Sequence, residues 1–165
     1  MPDAALDPLQ LLTALHDRGI EYIVVGGFAV NAHGFIRVTK DLDIVPNPSA
    51  ENLDRLAEML RDLDATVLDT ADFEAEEMPA DPTHATDLAM GGNFCLLTKL
   101  GRIDVMQWLS GVETEDLYSE FDRDAIEGSL DGVPVRVCGL EHLRAMKRAA
   151  GRPQDIEDLK ALEGM

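Results

Sequence analysis

The stretch from Ile36 to Val45 alternates in polarity and then stops at Pro46-Asn47-Pro48. Residues two apart on a strand share a face. Ile36, Val38, Leu42 and Ile44 fall on one side, with Lys40 as the exception, and Arg37, Thr39, Asp41 and Asp43 fall on the other. Such a pattern predicts a strand over Ile36 to Val45, with one face on a core and a polar opposite face. It also sets Asp41 and Asp43 side by side, roughly 6–7 Å apart at Cα. Two ionised carboxylates at that separation repel by about 3 kcal/mol at an effective dielectric near 20. A divalent cation removes that repulsion, so Asp-x-Asp on a strand is a natural Mg²⁺ site.

Two more features bear on that pair. Ile20 to Val25 reads as a short strand apolar on both faces, broken by Gly26-Gly27. Glycines let a phosphate approach the backbone, and a short helix from Phe28 to His33 follows, ending at Gly34. Farther along, Asp104 interrupts the apolar run Arg102-Ile103-Asp104-Val105-Met106. A charge in that setting is costly unless paired or metal-bound. A third carboxylate on a neighbouring strand completes a two-metal site and can take a proton from an attacking hydroxyl.

The remaining elements follow from periodicity and punctuation. Leu6 to Arg18 is helical, with Gly19 past its C-terminus. Ser49 caps a helix striped by Leu53, Leu56, Leu60 and Leu63. From Asp62 to Thr98 there is no lysine or arginine, and the crowd of acids there predicts mostly loop or a mobile flap. Phe94 to Thr98 and Arg102 to Leu109 read as strands joined by a turn at Gly101, which places Met106 and Trp108 in the core. A short helix between Thr114 and Ile126 precedes a hairpin, Ser129 to Val137, turning at Asp131-Gly132. Two helices, Leu140 to Ala150 and Gln154 to Leu162, break at Gly151-Arg152-Pro153. The expected fold is α/β (α+β), a mixed β-sheet with flanking helices. It is expected as a single domain over residues 1–165 that ends in a helical pair at about 140–163.

Composition narrows the classes. Hydrophobic residues make up 45% of the 165, enough for a core and against intrinsic disorder. No apolar run approaches the ~20 residues of a membrane span, and no signal-peptide core is present. Cys95 and Cys138 form no framework and read as small buried apolar residues, so the expectation is a reduced, cytoplasmic protein. With 32 acids against 14 bases, the net charge is −18. Such a body repels long nucleic acid and anionic membranes, unless the basic residues near the C-terminus gather locally. The loop after Asp41 is no EF-hand, with Pro46 sixth and Asn52 twelfth, and no Walker A, His-Glu-x-x-His or Gly-x-Ser-x-Gly occurs. The histidines have no ligand spacing.

The run Val25-Gly26-Gly27-Phe28-Ala29-Val30, followed by Arg37-Val38-Thr39-Lys40-Asp41-Leu42-Asp43-Ile44, resembles the DNA polymerase β-like nucleotidyltransferase superfamily. The closest likeness is to the small branch that includes the AbiEii-type toxin enzymes and related minimal proteins, in which Arg-x-Thr-x-Asp-x-Asp is typical. Leu143-Arg144-Ala145-Met146-Lys147-Arg148 with Gly151-Arg152-Pro153-Gln154-Asp155 is similar to that branch's closing motif. The resemblance covers Leu11 to Thr39 and on through Asp104 to Leu162.

The resemblance implies a polymerase β-like fold and a role for each matching residue. Asp41 and Asp43 would hold Mg²⁺ against a nucleoside triphosphate, and Asp104 would bind a second ion and act as base. Gly26 and Gly27 would let the backbone hold the β- and γ-phosphates. Lys147 is the first choice for a phosphate-facing cation, with Arg152 second. Arg37 and Thr39 share the carboxylate face and either lines the pocket, or Arg37 instead pairs structurally with an aspartate. The superfamily often has Ser where this chain has Gly27, and the chain lacks an obvious large acceptor-binding domain. The implied reaction moves an NMP from an NTP to the hydroxyl of a tRNA end, a protein or a cationic small molecule. A toxin role, with a cognate antitoxin, and a resistance role are both open. The alternative function is a non-catalytic nucleotide-binding or protein-interaction module on the same fold.

Overall fold

The structure, a computed structural model, describes residues 5–68, 74 and 80–164. Seven strands form one mixed sheet, in the spatial order Thr66–Val67, Phe94–Thr98, Gly101–Val105, Asp41–Pro46, Tyr22–Val25, Val133–Val137 and Ile126–Leu130. The chain enters through α1 (Pro8–Asp17), which Asp7 caps by accepting from the Gln10 backbone N–H at 3.0 Å. It then lays down β1 (Tyr22–Val25), buried along its whole length as a central strand should be. Gly26 ends that strand and α2 (Gly26–Ala32) starts at once. β2 (Asp41–Pro46) returns antiparallel to β1.

A long crossover follows: α3 (Ala50–Asp62), the edge strand β3 (Thr66–Val67), α4 (Ala85–Leu88) and β4 (Phe94–Thr98). It delivers β5 (Gly101–Val105) parallel to β2, with Asp43 opposite Asp104 and Asp41 opposite Arg102. After α5 (Leu117–Asp124), β6 (Ile126–Leu130) and β7 (Val133–Val137) make the hairpin. Asp131 and Gly132 both have positive φ at its turn, the geometry that matches strand twist in two-residue loops. α6 (Leu140–Ala150) and α7 (Pro153–Glu163) close the chain and pack on each other, and α6 also meets α2.

Four expectations change. The second strand starts at Asp41, not Ile36, and Ile36 and Val38 stand 77% and 87% exposed. The alternation holds for Leu42 and Ile44, both fully buried, but β2 has no partner before Asp41. Residues 35–40 are pinned by the Asn31 carboxamide, which accepts from the Arg37 N–H at 3.1 Å and donates to the Arg37 carbonyl at 3.2 Å. β5 ends at Val105, so Trp108 is 61% exposed rather than in the core. Within the acid-rich connection from Asp62 to Thr98, expected as mostly loop or a mobile flap, β3 and α4 are regular elements, and its residues 69–73 and 75–79 lie outside the described residues. Finally, Cys138 is buried, whereas Cys95 is half-buried and stands opposite Asp104. Among the described residues, no helix is long and apolar enough to cross a membrane.

Candidate active site

Parallel pairing of β2 with β5 decides where the charges meet. Residues directly opposite in a ladder point to the same face, so Asp41, Asp43, Arg102 and Asp104 all do. Carboxylate oxygens of Asp41, Asp43 and Asp104 lie within 4.8 Å of one another. The neighbouring pair Asp41 and Asp43 and the distant Asp104 thus converge on one point.

Gly26 seals one side of that cluster. Its φ is +69°, and a Cβ there would overlap the Asp43 carboxylate. A Cβ on Gly27 would lie 2.8 Å from Thr39 Cγ2 and 2.9 Å from Thr39 Oγ1. The glycine pair therefore lets the backbone run against Asp43 and Thr39 at a distance no side chain permits. Two substitutions separate conformational cost from crowding. Gly19 also has positive φ, +65°, but open space around it. Gly19→Ala is expected to cost about 1 kcal/mol, the backbone price alone. Gly26→Ala adds displacement of Asp43 and is expected to cost at least about 2 kcal/mol, read from thermal denaturation of both variants.

The electrostatics are tense. Burial, then the charges of Asp41 and Asp104, push the Asp43 carboxyl well above its ordinary value. Asp104 is pushed up to about 6, chiefly by burial, with Arg102 working in the opposite direction. Arg102 donates from Nε to Asp104 Oδ1 at 3.1 Å and from Nη2 to Oδ2 at 3.2 Å, and its Nε lies 3.8 Å from Asp41 Oδ2. Sequence reasoning passed over this arginine, although its place two residues before Asp104 on the same strand face was a usable signal. Three clustered oxygen donors whose mutual repulsion Arg102 relieves only in part fit a hard divalent cation such as Mg²⁺.

The basic candidates are placed differently from one another. Lys147 is buried, with Nζ 3.0 Å from Asp155 Oδ1 and 2.9 Å from Asp158 Oδ2. It is turned into the protein because it sits four residues after Leu143, on the inward face of α6. Arg37 makes a two-pronged pair with Asp158, at 2.8 and 2.9 Å, so of the two readings for this residue the structural pairing is the one seen. Thr39 lies against Gly27. Arg152 donates from Nε to Asp155 Oδ2 at 2.7 Å, yet its side chain is 75% exposed, and the charges of Asp43 and Asp41 reach it.

No known family model matches the sequence, and no curated protein matches it. Solved structures do resemble this one. The lincomycin-bound lincosamide antibiotic adenylyltransferase LnuA aligns over 96% of this chain and 98% of its own, with a TM-score of 0.63 at 14% identity. The crystal structure of ANT(2'')-Ia with adenylyl-2''-tobramycin aligns over 93% and 84%, with a TM-score of 0.57 at 17% identity. An antigenic nucleotidyltransferase-like protein from Paracoccidioides brasiliensis aligns over 98% and 78%, with a TM-score of 0.54 at 15% identity. In its mixed sheet and flanking helices, the chain has the fold of these solved nucleotidyltransferase structures.

Proposed function

We propose that the protein is a Mg²⁺-dependent nucleotidyltransferase that moves an NMP from an NTP to a hydroxyl of a small cationic molecule. The observation that carries this reading is the convergence of Asp41, Asp43 and Asp104 beside the Gly26-Gly27 bend. In the proposed reaction the acceptor oxygen attacks the α-phosphorus in line, a P–O bond forms, the bond to the β-phosphate breaks, and pyrophosphate leaves. Asp41, Asp43 and Asp104 would hold magnesium, which when bound supplies charge stabilisation for the triphosphate and the leaving group. Asp104, poised near 6, is suited to take the acceptor's hydroxyl proton. The Gly26-Gly27 backbone would carry the β- and γ-phosphates. Arg152, exposed and within the field of the carboxylates, is a better placed phosphate-facing cation than Lys147. Arg37 and Thr39 act from beneath, by holding the segment that leads into Asp41.

A small cationic acceptor has two supports. The structural neighbours carry tobramycin and lincomycin derivatives or ligands. A chain of net charge −18 draws cations and disfavours long RNA. The test is incubation with Mg²⁺, each of ATP, CTP, GTP and UTP, and a panel of amino sugars and lincosamides, read by mass spectrometry. The expected result is an acceptor heavier by one NMP, with a loss of at least about 10³-fold in the Asp41→Asn, Asp43→Asn double variant. Labelling unaffected by that double change defeats the proposal.

A further inference from the structure

The guanidinium of Arg102 is already where a cation belongs. It covers both oxygens of Asp104, at 3.1 and 3.2 Å, and approaches Asp41 Oδ2 at 3.8 Å. Strand register enforces this position, because Arg102 is opposite Asp41 and two residues from Asp104 on one face of the sheet. Asp104 is deeply buried, whereas the Arg102 side chain is 41% exposed, so the arginine reaches in from the open side of the cluster. A two-pronged arginine–carboxylate pair in such a place is among the stronger charge-assisted contacts.

When all three clustered carboxylates are ionised, as ligands of a metal must be, they carry three negative charges. Arg102 cancels one, and a single divalent cation cancels the remaining two. Without Arg102, one divalent cation leaves a residual negative charge that draws in a second.

On the reading of this site as a metal-dependent nucleotidyltransferase, we propose that Arg102 sets the cation stoichiometry. It serves as a built-in second cation, so the nucleotide-free protein takes up one divalent ion per chain, and a further ion enters only with the negative charge of a triphosphate. Arg102 is thereby a specificity-determining residue for cation loading. Two ions are the expectation for a three-carboxylate site, and the arginine changes that count for the resting protein.

The experiment is direct titration with Mn²⁺, following free Mn²⁺ by electron paramagnetic resonance in the absence of nucleotide. The Asp41→Asn, Asp43→Asn double variant supplies the background from other surface acids. Wild type is expected to bind one ion above background, Arg102→Ala two, and Arg102→Lys, which keeps the charge, one. Circular dichroism melting of each variant confirms that a folded protein is being titrated. Two ions on wild type, one on Arg102→Ala, or two on Arg102→Lys overturns the inference. No saturable binding above background in any of them overturns the cation site itself, and with it the proposed function, which distinguishes the two failures.

Discussion

Asp43→Asn is expected to make the metal-free protein more stable while removing the proposed transferase activity. In the absence of divalent ions at pH 7, the melting temperature should rise by about 4–8 °C, the equivalent of about 2 kcal/mol for a chain of this length. Asp43 is flanked by Asp41 on its own strand and by Asp104 across the ladder, and it is partly buried. The carboxamide keeps the shape beside Gly26 and relieves like-charge repulsion of about 3 kcal/mol per close pair at an effective dielectric near 20. A site strained for function and relaxed by its own inactivation is the usual form of the stability–activity trade-off.

The pH dependence has a definite sign. Asp43 and Asp104 both have folded-state values above their ordinary value near 3.8, Asp104 at about 6. Their favourable contribution is therefore present below the ordinary value and lost as pH rises through the folded-state value. Wild type without metal should lose stability from this source between about pH 4 and 7, and the Asn variant should show a flatter profile there. Mg²⁺ should restore wild type, by about 2.7 kcal/mol at a hundredfold excess over its dissociation constant, and leave the variant unmoved. Differential scanning calorimetry at several pH values, with and without Mg²⁺, reads all of this. A lower melting temperature for Asp43→Asn without metal would show that the carboxylate is a structural acceptor and not a strained ligand.

What could be read from the chain beforehand, and what could not, follows from the range of the interactions. The Asp-x-Asp parity and the interrupted strand at Asp104 are local patterns, and β2 and β5 place those residues as the patterns require. The alternation misled at Ile36 and Val38 because polarity shows which faces a strand would have, not whether a partner strand is there. β1 offers only Tyr22 to Val25, which pair with Pro46 to Asp43, so nothing is left to pair before Asp41. The Asn31 carboxamide fills in instead, and no periodicity announces a side chain that takes the place of a strand. Lys147 carried a local clue, its step of four from Leu143, which marked an inward position. The far end of that network carried none: Arg37 and Asp158 meet across 121 positions of sequence, and a single chain does not say which aspartate Arg37 meets.

Lys147→Met is expected to be the most damaging single change outside the carboxylate cluster. The lysine ties Asp155 and Asp158 together, and these are joined in turn to Arg152, Arg37 and Gln154. Both aspartates are almost wholly inaccessible to solvent. For each, burial works to raise the carboxyl, but hydrogen bonds outweigh it and hold the group below its ordinary value, from Arg152 and Lys147 at Asp155 and from Arg37, Lys147 and Gln154 at Asp158. Removing one member of a buried ionic set leaves charge without its partner and costs about 3–5 kcal/mol, or roughly 6–20 °C in melting temperature here. The sign with pH is opposite to that of the active-site acids. Stability from a lowered carboxyl is present above the ordinary value and lost as pH falls through the lowered one, so wild type should give up this contribution only below about pH 4. The Met variant should start from a lower plateau and fall less steeply there. The network also fastens α6 and α7 to the segment that carries Arg37 and Thr39 into Asp41, so turnover should fall with stability. Thermal and acid denaturation of Lys147→Met, alongside its transferase rate, decide between two roles. Unchanged melting with lost turnover would mean that the ammonium leaves its aspartates for the triphosphate, and the buried clamp would then be a resting arrangement rather than a structural one.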